Sequence, residues 1–234
     1  AEEVADLDAD EINRRLVSAF QYDEYAWQLE RGIRVKYKGR AEGLEKILYQ
    51  CPSCGAEFKM KTSGTELRCS ACGKKWTMTE LGQLESEDGE PIFTHIPDWY
   101  EWERDNVRRE VDNGVYSTGE MPVTVRSLPN AKRFILLGEG KMTHDMNGFH
   151  VSGVDNDGDP FGMEKPVPSL YSCHIEYEYL GKFGDCVDLN TLDDTWYIYP
   201  HNCEFAVTKM ALATEELYYK YRRDAGDPCK PGLA

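Results

Sequence analysis

The sequence lacks long apolar runs and an excess of positive charge, and each absence argues against one class of function. No stretch approaches the about eighteen apolar residues that a membrane-spanning helix needs. Lys and Arg number 27 against 42 Asp and Glu, giving a formal net charge of -15, which argues against general nucleic-acid binding because phosphate contacts need clustered cations. No glycine-rich phosphate loop, nucleophile elbow or zinc-protease helix is found. The residues therefore assemble no active site, and a binding or structural role is the first hypothesis.

Four of the eight cysteines form two C-x-x-C pairs separated by fourteen residues, Cys51 with Cys54 and Cys69 with Cys72. This is the spacing of a zinc ribbon, in which each pair makes a tight turn and points two thiolates at one centre. We predict one structural Zn²⁺ on these four residues, because a closed four-cysteine shell leaves no position for a catalytic water. The alternatives on the same thiols are a redox dithiol pair, disulfides, or an iron or iron–sulfur centre.

The remaining cysteines are predicted to be core residues. A second metal site would need to combine residues 173–174, Cys186 and residues 201–203, and their spacing gives it no support. Buried cysteine usually packs as a small hydrophobic residue. Because no signal peptide is visible and half of the cysteines belong to the metal site, we expect a reducing cytoplasmic location, peripheral to a membrane at most.

Helical patterns dominate the first part of the chain. Asp10 is predicted to cap a first helix, and Asp23 a second helix that covers residues 24–31 and ends at Gly32. Residues 33–37 alternate apolar and basic side chains, which predicts a strand.

The ribbon and the segment after it follow different patterns. Residues 57–60 and 66–68 alternate as two short strands, whereas residues 84–91 are acidic and predicted to be a turn or linker. A connector helix should open at Pro97 and stop at Asn113.

From residue 121 onward the pattern changes to short strands separated by turn residues. Seven strands are predicted, over residues 123–125, 133–137, 140–143, 148–153, 173–179, 186–190 and 195–199. A final amphipathic helix covers residues 206–221. Antiparallel strands closed by one C-terminal helix are the order of a pleckstrin-homology-like domain, including its GRAM relatives.

These patterns together predict an α+β chain of five parts. The parts are an N-terminal helical segment (1–45), a zinc ribbon (46–82), a linker with a connector helix (83–119), a pleckstrin-homology-like β module with its C-terminal helix (120–223) and a tail (224–234).

Two further motifs have simpler explanations. His150 and Asp155 match the H-x-x-x-x-D spacing of glycerolipid acyltransferases, in which the carboxylate orients the histidine as general base. The match falls on a predicted hairpin, and two fixed positions arise easily by chance. Residues 155–159 resemble the start of a calcium loop, but Pro166 stands where the bidentate Glu is required, so a polar turn is predicted.

The ribbon is locally basic beside Trp76, and this is the basis of an alternative function as a nucleic-acid-binding or transcription accessory protein. Its cations are Lys59, Lys61, Arg68, Lys74 and Lys75. The acidic chain as a whole makes solvated surface lysines the simpler interpretation.

Four stretches are familiar when taken together, namely residues 22–28 (YDEYAWQ), 48–54 (LYQCPSC), 95–104 (HIPDWYEWER) and 211–218 (ALATEELY). They resemble the C-terminal extension of bacterial, mainly clostridial-type, phospholipid/glycerol (1-acyl-glycerol-3-phosphate) acyltransferase-family proteins. The resemblance implies a role in phospholipid biosynthesis for a parent chain whose catalytic domain precedes Ala1. The family's N-H-x-x-x-x-D motif is not in place, since Phe149 precedes the only matching histidine, so no catalytic residue is carried over.

The sequence therefore favours a non-catalytic, zinc-binding accessory or regulatory region of an acyltransferase-like protein. Its expected partner is its own catalytic domain or another protein, a membrane surface is a weaker candidate, and nucleic acid is not expected. Whether the chain is an enzyme stays open, because the enzymatic alternative is a self-contained acyltransferase or hydrolase that uses His150 and Asp155.

Overall fold

The computed structural model describes residues 7–129 and 133–226, and Cys229 therefore lies outside the described residues. The fold is α+β with two antiparallel sheets. The helices are α1 (Ala9–Phe20), α2 (Glu24–Arg31), α3 (Leu44–Ile47), α4 (Ile96–Asp112) and α5 (Val207–Asp224). None of them is long and apolar enough to cross a membrane.

The first four strands form one sheet, the ribbon sheet, in the order β1-β2-β3-β4. They are β1 (Met60–Ser63), β2 (Glu66–Cys69), β3 (Lys75–Met78) and β4 (Leu84–Glu85). The other seven form the half-barrel, a curled sheet in the order β8-β7-β6-β5-β11-β10-β9. They are β5 (Met121–Ser127), β6 (Ile135–Asp145), β7 (Gly148–Asp155), β8 (Pro160–Pro166), β9 (His174–Glu176), β10 (Cys186–Asn190) and β11 (Thr195–Pro200).

The two N-terminal helices match the sequence pattern except at one cap. The predicted cap Asp10 is wrong, because Asp8 Oδ1 accepts the backbone N–H of Glu11 at 2.8 Å and Asp10 lies inside the first turn. There its negative charge is favourable next to the unpaired N–H groups of the helix start. The predicted second helix is confirmed, with Asp23 as its N-cap and Gly32 in a left-handed conformation at its end.

The predicted strand over residues 33–37 is wrong. The segment is extended, but it makes one backbone bond to the ribbon, from Val35 N–H to the Glu80 carbonyl at 2.8 Å. Strand β3, which ends near Glu80, already pairs with β2 on one edge and β4 on the other. Neither edge of β3 is therefore free for the segment, and Ile33 and Tyr37 stay exposed.

The ribbon strands are shifted from their predicted positions. Residues 57–59 form no regular strand, because Phe58 has a positive φ of 60° and donates its N–H to the Tyr49 carbonyl. Strand β1 therefore starts at Met60. The predicted linker after the ribbon begins with strand β4, whose Leu84 pairs with Met78 and is buried in the ribbon core.

The half-barrel has the predicted number of strands but not the predicted set. Residues 133–137 and 140–143, predicted as two strands, contribute to one strand, β6, which continues through Gly138. A register shift between Val125 and Arg126 of β5 lies opposite this glycine. Strand β8 was not predicted because it begins and ends with Pro160 and Pro166, which are tolerated at the ends of an edge strand.

Helix α4 connects the two sheets. Its Trp99 is buried in the ribbon core, where the ring centroid lies 4.9 Å from that of Trp76. Further along the helix, Val107 and Val111 are buried in a second cluster with Leu212 of α5. One helix therefore contributes to the core of the ribbon and to the packing of α5 on the half-barrel.

His144 is an ionisable side chain buried inside the half-barrel. Its Nδ1 lies 2.9 Å from the Tyr116 hydroxyl, and its ring stacks on Phe149 at 3.7 Å between centroids. Burial lowers the pKa of His144 to about 3. The folded protein therefore holds this imidazole neutral at pH values where the unfolded chain protonates it.

We predict that His144→Gln removes part of the acid sensitivity of folding. Because the pKa of His144 is lower in the folded than in the unfolded state, its contribution to stability is present above about pH 6.5 and is lost as the pH falls. From pH 7.5 to pH 5, the unfolding free energy of the wild type should fall by about 2 kcal/mol more than that of the variant. Denaturant unfolding at both pH values measures the two free energies. An equal fall in the wild type and the variant would contradict the prediction.

Candidate metal centre

The first cysteine pair lies in a tight turn between α3 and the ribbon sheet. The Cys51 N–H donates to the Ala56 carbonyl at 2.9 Å, and the Gly55 N–H donates to the Cys51 carbonyl at 2.8 Å. Gly55 has a φ of 76°, a left-handed conformation that glycine adopts without strain. The turn therefore directs the thiols of Cys51 and Cys54 to the same side.

The second pair repeats this geometry between β2 and β3. The Cys69 N–H donates to the Lys74 carbonyl at 2.9 Å, and the Gly73 N–H donates to the Cys69 carbonyl at 2.9 Å. Gly73 has a φ of 80°. The glycine after each C-x-x-C pair thus closes the same kind of turn in both places.

The two turns bring all four sulfur atoms together. The Cys51 and Cys72 sulfurs are 3.8 Å apart, as are those of Cys54 and Cys69, and the four lie within 3.6-3.8 Å of one another. A tetrahedral ion with metal–sulfur distances of about 2.3 Å has sulfur–sulfur distances of about 3.8 Å. The predicted residues therefore form a cluster of the size and shape that holds one metal ion.

The thiols of the cluster differ in their surroundings. Cys51 and Cys69 are buried, whereas Cys54 and Cys72 are exposed. The backbone N–H of Lys74 lowers the pKa of the Cys72 thiol to about 7, and burial raises the pKa of Cys51. All four are free thiols, so the structure gives no support to the disulfide alternative.

Helix α4 fixes the backbone immediately before the first ligand. The Gln50 N–H donates to the Glu103 carboxylate at 2.7 Å, and the Trp99 indole N–H donates to the Gln50 carbonyl at 2.9 Å. Glu103 is fully buried, and burial raises its pKa well above the ordinary value. The position of Cys51 is therefore set by the helix as well as by its own turn.

The cysteines of the half-barrel do not converge on one site. The Cys173 thiol accepts from the Thr214 hydroxyl of α5, and the buried Cys186 thiol donates to Asp188 Oδ1 at 3.5 Å. Cys203 packs half-buried against the core. His201 instead lies 3.1 Å from Glu139. Among the described residues, the second site considered from the sequence is not assembled.

His150 and Asp155 are not brought together either. Both lie on β7, five residues apart, which corresponds to about 16 Å along a strand. The Nδ1 atom of His150 bonds Glu164, and its Nε2 atom lies 3.7 Å from Asp145. The general-base pair required by the acyltransferase-like spacing is therefore not formed.

The residues that resemble a calcium loop form a hairpin turn, as predicted. Asp155 Oδ1 accepts the backbone N–H groups of Asp157 and Asp159, each at 2.9 Å, between strands β7 and β8. The carboxylate is used to hold the turn.

Most of the basic residues of the ribbon are neutralised by neighbouring carboxylates. The ion pairs are Lys59 with Glu204, Lys74 with Asp88 at 2.7 Å and Lys75 with Glu66 at 3.3 Å. Lys61 and Arg68 face each other across β1 and β2 on the exposed side of the sheet. Two of the five cations are left for an anionic partner.

One group of potential metal ligands was missed by the sequence analysis. His174, Glu176 and Asp188 place their ligand atoms within 4.8 Å of one another. His174 and Glu176 are two positions apart on a predicted strand, so a shared face could have been inferred. The register that puts Asp188 opposite His174 could not.

Comparisons with known proteins give no match, whether to a family model, a curated protein or a solved structure. The interpretation of the four-cysteine cluster therefore depends on its own geometry and chemistry.

We predict that Cys69→Ser abolishes metal binding at the four-cysteine cluster. The variant keeps the fold of the second turn but removes one of the four sulfur ligands. Elemental analysis of the native protein should find about one metal ion per chain fewer in the variant than in the wild type. Cys203→Ser is the matched control and should retain the ion. Retention of the metal by Cys69→Ser, or its loss from the control, would contradict the assignment.

Proposed function

We propose that this chain is a non-catalytic, zinc-binding accessory region of an acyltransferase-like protein and that it docks the protein's catalytic domain. The observation that carries the proposal is the tetrahedral convergence of Cys51, Cys54, Cys69 and Cys72. A shell closed by four sulfur ligands serves structure, because it leaves no coordination position for substrate or water.

Zinc is the ion that we propose for this centre. Four thiolates in a tetrahedral arrangement suit Zn²⁺ or iron, and Zn²⁺ has no redox chemistry to interfere with a structural role. The ribbon sheet has short strands of two to four residues each. An ion that links its two turns would supply stability that so small a core lacks.

Three of the four stretches that resemble the acyltransferase-family extension occupy the packed junction of the structure. Residues 48–54 enter the first cysteine turn, residues 95–104 form the first part of α4, and residues 211–218 lie in α5. Leu48, Trp99 and Leu212 from these stretches are completely buried. These three stretches therefore supply residues that hold the modules together, which supports an architectural role.

The half-barrel supports a pleckstrin-homology-like assignment. Strands β5 to β8 form one antiparallel run and strands β9 to β11 form a second. The two runs are joined where β5 pairs with β11. Helix α5 follows and packs on the half-barrel core through Val207 and Met210. Domains of this kind commonly serve as binding modules, and we assign that role to the half-barrel.

Exposed apolar side chains mark the docking surface. Of the eighteen large hydrophobic residues exposed in the described ranges, eight lie between residues 16 and 37. We call this set the N-terminal apolar surface: Leu16, Phe20, Tyr22, Trp27, Leu29, Ile33, Val35 and Tyr37. Leu16, Phe20 and Tyr22 of this set line a groove of about 1120 Å³ between α1, α2 and α4. A concentration of this kind is typical of a protein–protein contact.

Nucleic-acid binding has less support than protein docking. Three of the five basic ribbon residues are paired with carboxylates of the same chain. A phosphate backbone would have to displace these pairs in a protein of net charge -15. The enzymatic alternative has less support as well, because it needs His150 and Asp155 to lie together and they do not.

We predict that Phe20→Asp weakens binding of the separately produced catalytic domain by at least about tenfold, because it places a charge where an apolar contact is expected. Phe20 is 82% exposed, so the substitution should leave the fold intact. Leu192→Asp is the matched control, since Leu192 is 102% exposed in the β10–β11 turn, far from that surface in the sequence. Calorimetric titration measures both.

Three outcomes would count against the proposal. They are no binding by the zinc-loaded wild type, equal weakening by Leu192→Asp, and acyl transfer catalysed by this chain alone. The last would instead favour the enzymatic alternative.

A further inference from the structure

Two short strands at the edge of the half-barrel carry a set of mixed metal-ligand residues. Strand β9 is one of the two edge strands and, among the described residues, pairs with β10 alone. His174 lies opposite Asp188, and Glu176 lies opposite Cys186. Residues two apart on a strand share a face, so all four side chains project from the same side of this two-strand ladder. Ile175 and Val187 project from the other side into the half-barrel core.

The distances within this group suit a bound ion. His174 Nδ1 and Asp188 Oδ2 are 3.0 Å apart, and Glu176 offers a third ligand atom within 4.8 Å of both. Zinc binds histidine nitrogen and carboxylate oxygen at about 2.0 to 2.2 Å. Two ligands of a tetrahedral ion at these distances are about 3.4 Å apart, so the 3.0 Å separation has to open by about 0.4 Å. A small movement of the exposed His174 side chain is enough to admit the ion.

The chemistry of the neighbourhood also favours a cation. Asp188 is 6% exposed and Glu176 is half-buried, yet neither forms an ion pair with a Lys or Arg among the described residues. The Cys186 thiol donates to Asp188 Oδ1 and orients the carboxylate from behind. Hydrogen bonds of this type to ligating carboxylates are typical of metal sites. The two negative charges of Glu176 and Asp188 are therefore not balanced by the single His174 ring, even when that ring is protonated.

We propose that His174, Glu176 and Asp188 form a second metal site, for a divalent transition-metal ion, at the edge of the half-barrel. Imidazole together with carboxylates suits Zn²⁺ better than the hard ions Mg²⁺ and Ca²⁺. Three protein ligands leave at least one coordination position open to water or to a further ligand. This site is independent of the four-cysteine centre and of the proposed docking function.

Binding of Zn²⁺ to the full-length, reduced chain tests the proposal. The four-cysteine centre is filled first with one equivalent of Zn²⁺, and calorimetry then measures a second binding event. His174→Ala and Glu176→Gln should each weaken that event by at least about tenfold. Glu176→Gln is the decisive variant, because a plain His174–Asp188 hydrogen bond does not involve Glu176.

His150→Ala is the matched control. His150 also contacts two carboxylates, but Glu164 is at Nδ1 and Asp145 near Nε2, on different edges of the ring. These groups cannot bind one ion together with the ring, so the control should bind the second Zn²⁺ as the wild type does.

The proposal is overturned if the wild type shows no second event, if Glu176→Gln binds as tightly as the wild type, or if His150→Ala is weakened equally. Both substituted ligands are at least partly exposed, and an unchanged circular dichroism spectrum shows that the variants are folded. A Co²⁺-loaded second site should also show the absorption of nitrogen and oxygen ligands, and sulfur-ligand bands there would likewise overturn the assignment.

Discussion

The backbone of Gln50, one residue before the first cysteine ligand, is held by α4 through both its N–H and its carbonyl group. The buried Glu103 carboxylate accepts its N–H, and the buried Trp99 indole donates to its carbonyl. Each of these groups would lose a hydrogen bond inside the protein if α4 moved away, and an unsatisfied buried polar group costs about 1–3 kcal/mol. The first cysteine turn is therefore tied to α4, and the geometry of the metal cluster depends on where that helix lies.

The same helix is tied to the half-barrel by charges. Arg104 donates to Glu215 of α5 at 2.5 Å, and Arg108 bonds Glu216 at 2.9 Å with Glu216 almost fully buried. Lys209 of α5 lies 2.9 Å from Glu57 of the ribbon. Such buried pairs add little net stability, but a misaligned helix would leave their charges unpaired at a high cost. The pairs thus favour one arrangement of the ribbon on the half-barrel.

Features that depend on residues close together in the chain could be predicted from the sequence, whereas features that depend on strand pairing between distant residues could not. The cysteine cluster and the second helix depend on spacings of a few residues, and both were predicted with their correct residues. The strand predicted at residues 33–37 is not formed, because both edges of β3, which ends next to the segment's one bonding partner, are taken by β2 and β4. That pairing is decided elsewhere in the chain. Strand β8 was missed because prolines at both of its ends weaken the strand pattern, and its place at the edge of the sheet, which accommodates them, is not visible in the sequence. The group on β9 and β10 needed the register between two strands, which no local pattern encodes.

The position of that group gives it a consequence beyond metal binding. Strand β9 has three residues and is held by β10 on one side only, so it is the least supported strand of the half-barrel by backbone pairing. An ion bound by His174 and Glu176 of β9 and by Asp188 of β10 would cross-link the two strands. Because the ion binds only when the strands are paired, its binding free energy adds to the stability of that edge and grows with metal concentration. The four-cysteine centre, with its closed shell, would hold the ribbon permanently, whereas the open three-ligand site would make the order of the half-barrel edge respond to available metal.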